Sequence, residues 1–142
     1  ENYTGSIPAA VDAGAFIGSA GDGKISSATR SDFAEAAAVV LVGEGHVGKV
    51  YELGGDEAYT LKDLAAEISK QVGKTIPYNN LSETEYADTL TSMGLPEGLA
   101  KAFASFDTGA AHDDLFNDGK VLSQLIGRPT TSLSEAVKAA LV

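Results

Sequence analysis

The feature that most constrains this chain is its shortage of strands. About five amphipathic helix patterns accompany only three or four short extended stretches. Lys49-Val50-Tyr51-Glu52-Leu53 predicts a strand, stopped by Gly54-Gly55-Asp56, and it lies between two helical patterns. That alternation is the α/β arrangement. Parallel strands are buried on both faces and need neighbours. The other candidates are Ala15–Gly18, Ile25–Ala28 and Thr75–Tyr78, and Pro77 confines the last to a sheet edge because it cannot donate to a ladder. Either the protein is mostly helical, or it is part of an α/β domain whose remaining strands lie elsewhere.

The helices carry clear local signals. Ile7 to Val11, closed by Gly14, predicts the tail of a helix. Ser31 is a candidate cap for the next, with Phe33, Ala36, Ala37, Val40 and Leu41 on one face. Thr60 and Asp63 form a capping-box pattern ahead of a stripe of Leu61, Leu64, Ala65, Ile68 and Val72, with Gly73 as the stop. Ser82 with Glu85 and Ser132 with Glu135 repeat the box. Between them, Leu95-Pro96 opens a segment with Leu99, Phe103 and Phe106. Asp118 is a candidate cap for Val121 to Ile126, which Gly127 and Pro129 stop.

Charge narrows the function. Twenty acidic and ten basic residues give a formal net charge of −10. A nucleic-acid binder needs a basic face to displace counterions, and an anionic membrane attracts the same sign, so neither partner is expected. No apolar run reaches the ~20 residues of a membrane span. Cysteine is absent and only His46 and His112 are present, which excludes thiolate sites and histidine-rich metal centres; no metal is expected. The chain opens on Glu1-Asn2-Tyr3 with no Met, which predicts a processed or truncated product.

Several motifs are decoys. Gly43-Glu44-Gly45-His46-Val47-Gly48 matches the dinucleotide fingerprint G-x-G-x-x-G literally. The fingerprint must follow a strand and open a helix, whereas here a helix precedes it and a strand is expected after it. Asp114 to Gly119 resembles the start of a calcium loop, but Phe116 and Leu125 stand where ligands are required. No Ser/His/Asp grouping stands out, and no Tyr is followed four residues later by Lys. Arg30 sits between an extended stretch and a helix start, where ligands bind in α/β folds. An ion pair with Asp32 or Glu35 is the alternative role, and the sequence leaves both open.

The order of these motifs resembles the NmrA-like branch of the atypical short-chain dehydrogenase/reductases. The resemblance runs through Glu1-Asn2-Tyr3, Gly21-Asp22-Gly23-Lys24 and Ala28-Thr29-Arg30-Ser31-Asp32-Phe33-Ala34. It continues through Val50 to Asp56, Thr60 to Ala65, Asn117 to Lys120 and Leu125 to Thr131, and is strongest to the bacterial NAD(P)H:quinone oxidoreductases of that branch. It covers nearly the whole chain but only the C-terminal half of such proteins.

The resemblance implies an α/β fold: the C-terminal portion of an extended Rossmann-type NAD(P)-binding domain, with its last sheet strands and a small, mostly helical substrate subdomain. Residues 1–60 then form the end of the sheet with a flanking helix, and residues 61–142 the substrate side. The implied cofactor is NADP or NAD, held mainly by an N-terminal half. Glu1, Asn2 and Arg30 are its expected contacts from this chain, and Phe106 and His112 are expected on the substrate side. No catalytic side chain is assigned. The implied reaction is hydride transfer from the nicotinamide to a quinone in a cytoplasmic protein. The expected partners are the quinone substrate and the N-terminal half, with a homo-oligomer left open, and the piece alone is expected to be inactive. Two other readings remain open: a regulator of the same branch that binds the dinucleotide and a protein partner without chemistry, and an autonomous acidic helical module.

Overall fold

The computed structural model describes residues 1–142. A short 3-10 turn at Thr4–Ser6 runs into α1 (Ile7–Ala13), where Pro8 stands in the first turn and Gly14 closes the helix in the left-handed conformation at φ 80°. Then come β1 (Phe16–Gly18), α2 (Arg30–Val42), α3 (Leu61–Val72), β2 (Tyr78–Asn80), α4 (Glu83–Ser92), α5 (Glu97–Ala111), α6 (Val121–Ile126) and α7 (Leu133–Ala140). The result is a mixed α/β fold with seven helices and one two-stranded parallel sheet. Its strands pair Phe16 with Tyr78, Ile17 with Asn79 and Gly18 with Asn80.

All three capping boxes form as their spacing predicts, on α3, α4 and α7. In each, the cap hydroxyl accepts the N3 amide while the N3 carboxylate accepts the cap amide. α3 is the structural centre. Its buried stripe of Leu61, Leu64, Ala65 and Ile68 joins Ile7, Phe16, Ile25, Tyr59, Ile76 and Val137 in one core.

The strand expectations need correction. Residues 50–53 make no backbone hydrogen bonds and form no strand, since no neighbouring strand of this chain lies alongside. Ile25 to Ala28 contributes only an isolated antiparallel bridge between Ile25 and Tyr59. The strand expected at Thr75–Tyr78 begins at Tyr78 instead, because Pro77 can accept from Phe16 N through its carbonyl but cannot donate. Two caps also move. Thr29, not Ser31, caps α2 by accepting the Asp32 amide at 3.1 Å. Lys120, in the left-handed region at φ 51°, precedes α6 with no side-chain cap, so Asp118 does not serve there.

α2 is unlike the others. Its sequence, RSDFAEAAAVVLV, is apolar almost all round. Only Asp32 and Ala36 are buried, while Leu41 and Val42 are more than 80% exposed. Val50 is 90% exposed. Phe33, Ala36, Ala37, Val40 and Leu41 form a wholly apolar groove with Tyr51, Leu53 and Leu125. A helix with this pattern is built for burial on more than one side.

Candidate functional site

The main candidate site is an open cleft of about 840 Å³. One wall is the N-terminal segment from Glu1 to Gly5; another is the stretch from Ile25 through the N-terminus of α2 to Arg30 and Phe33. The floor and rim come from Glu52 to Gly54, from the loop 114–117 and from one face of α7.

The two N-terminal elements are tied together. Arg30 N donates to both carboxylate oxygens of Glu1, at 3.0 and 3.2 Å, so an acidic side chain sits on the amide end of α2. The Arg30 guanidinium reaches Asn2 Oδ1 at 3.4 Å and forms no ion pair. Neither Asp32 nor Glu35 takes Arg30. Arg128 takes both, through Nη2 at 2.8 Å to Asp32 Oδ1 and 2.5 Å to Glu35 Oε2. Arg30 is therefore a cation on the cleft wall with no carboxylate neutralising it.

Asp32 is fully buried. Burial pushes its carboxyl group upward, but the Thr131 amide, the Arg128 guanidinium and the Thr29 and Thr131 hydroxyls outweigh that and hold it below the usual carboxylate range. Asp107 on α5 goes the other way. It is 4% exposed, and burial raises its pKa against the lowering effect of the Ser19 amide at 2.8 Å and the Tyr3 hydroxyl at 3.2 Å. Asp107 thereby anchors the segment that carries Glu1 and Asn2 to the end of β1.

A second loop completes the cleft. Lys24 N donates to Asp113 Oδ1 at 2.7 Å, Ser26 N to Leu115 O at 2.9 Å, and Asn117 N to Ser26 Oγ at 3.0 Å. These bonds stitch residues 113–117 to residues 24–26. Asp113 adopts φ 61°, a conformation uncommon for a residue with a side chain.

Of the residues singled out in the sequence, Glu1, Asn2 and Arg30 meet in the cleft. Phe106 and His112 do not line it. Phe106 packs edge-on against Phe103 on the exposed side of α5, and His112 Nδ1 bonds Thr108 O at 2.8 Å at the helix end. His46 is half-buried on Tyr51, whose hydroxyl lies 2.7 Å from Nδ1. Sequence reasoning missed Leu115 and Phe116, which line the cleft while still 44% and 42% exposed. The one signal available was a pair of large apolar residues directly after two aspartates.

A pyrophosphate needs a glycine turn that leaves a strand and opens a helix. The only G-x-G-x-x-G, Gly43 to Gly48, leaves α2 and opens no helix; no strand follows it either, contrary to the sequence expectation. What the cleft offers instead is polar groups and a guanidinium without a carboxylate partner.

No family model matches the sequence. Quinone oxidoreductase 2 of Escherichia coli is 59% identical over 137 residues, which are 96% of this chain and 48% of that protein. The crystal structure of the Escherichia coli NADPH-dependent quinone oxidoreductase complexed with NADPH superposes with a TM-score of 0.97 at 57% identity, covering 99% of this chain and 50% of that one. The Citrobacter sp. triphenylmethane reductase complexed with NADP(H) gives 0.92 at 32% identity, covering 97% and 48%. The chain spans about half the length of the relatives it matches. Over that half it is a close homologue of the Escherichia coli quinone oxidoreductase 2, and it stands with that protein in the NmrA-like group.

Proposed function

We propose that this chain forms one wall of the active cleft of an NADPH-dependent quinone oxidoreductase. The observation that carries the reading is 59% identity over nearly the whole chain. Residues 1–60 form the end of a Rossmann-type layer and residues 61–142 the substrate side. A second half of the protein supplies the pyrophosphate loop and packs on the apolar groove of α2, where residues 50–53 gain the strand partners they lack here. Bound NADPH supplies the hydride that reduces the quinone.

The residues of this chain bind and orient. Arg30 presents its guanidinium to an anionic or carbonyl oxygen of the cofactor, and Glu1 and Asn2 fix where Arg30 stands. Phe106 and His112 contribute through α5, the helix that delivers the loop 113–117 to the cleft. A quinone is itself a good electron acceptor, so positioning is the main task and no strong side-chain acid is required.

The test compares the intact protein with the 142-residue piece. The intact protein should oxidise NADPH when a small quinone is added; the piece alone should do neither this nor bind NADPH in calorimetric titration. An intact protein that reduces no quinone with either nicotinamide cofactor sinks the proposal. Tight NADPH binding without turnover would point to the regulatory reading instead.

Arg30→Ala in the intact enzyme should raise the KM for NADPH by roughly 10- to 100-fold, the worth of a hydrogen bond to a charged group. The melting temperature should hardly move, because an exposed side chain without an ion pair contributes only ~0–1 kcal/mol. Unchanged kinetic constants would remove Arg30 from the site.

A further inference from the structure

We propose that Phe116, seated against Lys24, is the platform on which the flat ring of the acceptor stacks, and so sets which acceptors the enzyme takes. The inference rests on the quinone reading above and adds a specificity-determining residue to it.

Three observations converge. First, Leu115 and Phe116 are large apolar side chains left about two-fifths exposed on the cleft wall, where water alone is a poor partner. Second, they are held there rather than left loose. The bonds from Lys24 N, Ser26 N and Asn117 N fix the loop, a further bond runs from Phe116 N to Asp113 O at 3.0 Å, and Asp113 turns the chain in the left-handed region. Such a backbone costs free energy and persists where its surroundings impose it. Third, Lys24 Nζ lies 5.7 Å from the centroid of the Phe116 ring, within cation–π range. That contact restricts the ring and puts a positive charge next to it.

The chemistry suits a quinone. Its ring is planar and electron-poor, and it gains by offset stacking on the electron-rich face of a benzene ring. Its carbonyl oxygens carry partial negative charge that a neighbouring ammonium attracts. The rest of the cleft divides the same way. Leu133, Ala136 and Ala140 offer an apolar bed, while Glu1, Asn2 and Arg30 hold the polar side assigned to the cofactor. Phe106, which the resemblance implies on the substrate side, packs at a near-right angle to Phe103 outside the cleft.

The experiment measures steady-state kinetics of the intact enzyme with NADPH and either 1,4-benzoquinone or 1,4-naphthoquinone, both two-electron acceptors. Phe116→Ala should raise the KM for the two quinones about tenfold, more for the larger ring, and leave the KM for NADPH within twofold. Phe116→Leu keeps apolar bulk without a π face and should sit between wild type and Ala. Phe116→Tyr should behave like wild type. Melting temperatures of the Leu and Tyr variants within a few degrees of wild type exclude a folding defect. Quinone KM values that stay put in active Ala and Leu variants overturn the platform but not the enzyme assignment. A shift confined to the KM for NADPH also overturns it, by placing Phe116 on the cofactor. No quinone reduction by the wild-type enzyme overturns both.

Discussion

Replacing Asp32 with Ala should destabilise the protein by roughly 3 kcal/mol, the upper end of the cost of leaving buried hydrogen-bonding groups without their partner. Asp32 is fully buried and accepts bonds from Arg128 Nη2 at 2.8 Å, Thr131 N at 3.0 Å and Thr131 Oγ1 at 3.2 Å. Truncation leaves the Thr131 amide without its partner and frees Arg128 from one of its two carboxylates. The loss falls on the joint between α2 and the segment leading to α7, so both cleft walls move apart. The pH dependence has a fixed sign. The native carboxyl group titrates below the unfolded value, so the stabilisation is complete above about pH 4 and disappears as pH falls through the lowered native value. Urea melts of wild type and Asp32→Asn at pH 7 and pH 3 should therefore converge at the lower pH. An equal gap at both would show that the charge on Asp32 is not what stabilises the joint.

Gly23→Ala should be comparably damaging, by about 3 kcal/mol at the upper end of overpacking costs. A Cβ at Gly23 would overlap the backbone carbonyl of Ala110, and backbone at the end of a packed helix cannot step aside as a flexible side chain can. The turn at Ala20 to Gly23 then separates from α5, and with it the stitching of Lys24 and Ser26 to the loop 113–117 loosens. Chemical denaturation should report the change. A variant with wild-type stability would mean that the turn and α5 do not approach as closely as described.

What was legible in the sequence was local. Thr60 with Asp63, Ser82 with Glu85 and Ser132 with Glu135 each fix a helix start within one turn of chain, and all three form. Strands depend on partners, and there the reading was uneven: Ala15–Gly18 yields β1 (Phe16–Gly18), while the other expected strands shift or do not form. Val50 to Leu53 has the composition of a strand, but in this chain nothing pairs with it. The ion pair of α2 shows the same limit. Arg30 was the cation near in sequence, yet Arg128 reaches Asp32 across 96 positions. Glu1, Asn2 and Arg30 were expected at the cofactor through the order of motifs, and they stand hydrogen-bonded together on one cleft wall. Leu115 and Phe116 escaped because a loop has no periodicity; their role depends on residues 24–26, some ninety positions away.

The parallel pairing of β1 with β2 bears on how the molecule assembles. Phe16 meets Tyr78 only after the intervening chain, including α2 and α3, has been gathered in, and Tyr3 meets Asp107 across 104 positions. Closing loops of this size costs entropy before any contact offsets it, and chains dominated by such closures fold slowly. The capped helices can form early on their own signals. The cleft cannot, since its N-terminal wall is held by the most distant contact in the chain of bonds that builds it. The cleft is therefore expected to close late in folding, and a partner or ligand that bridges its walls should favour that closure.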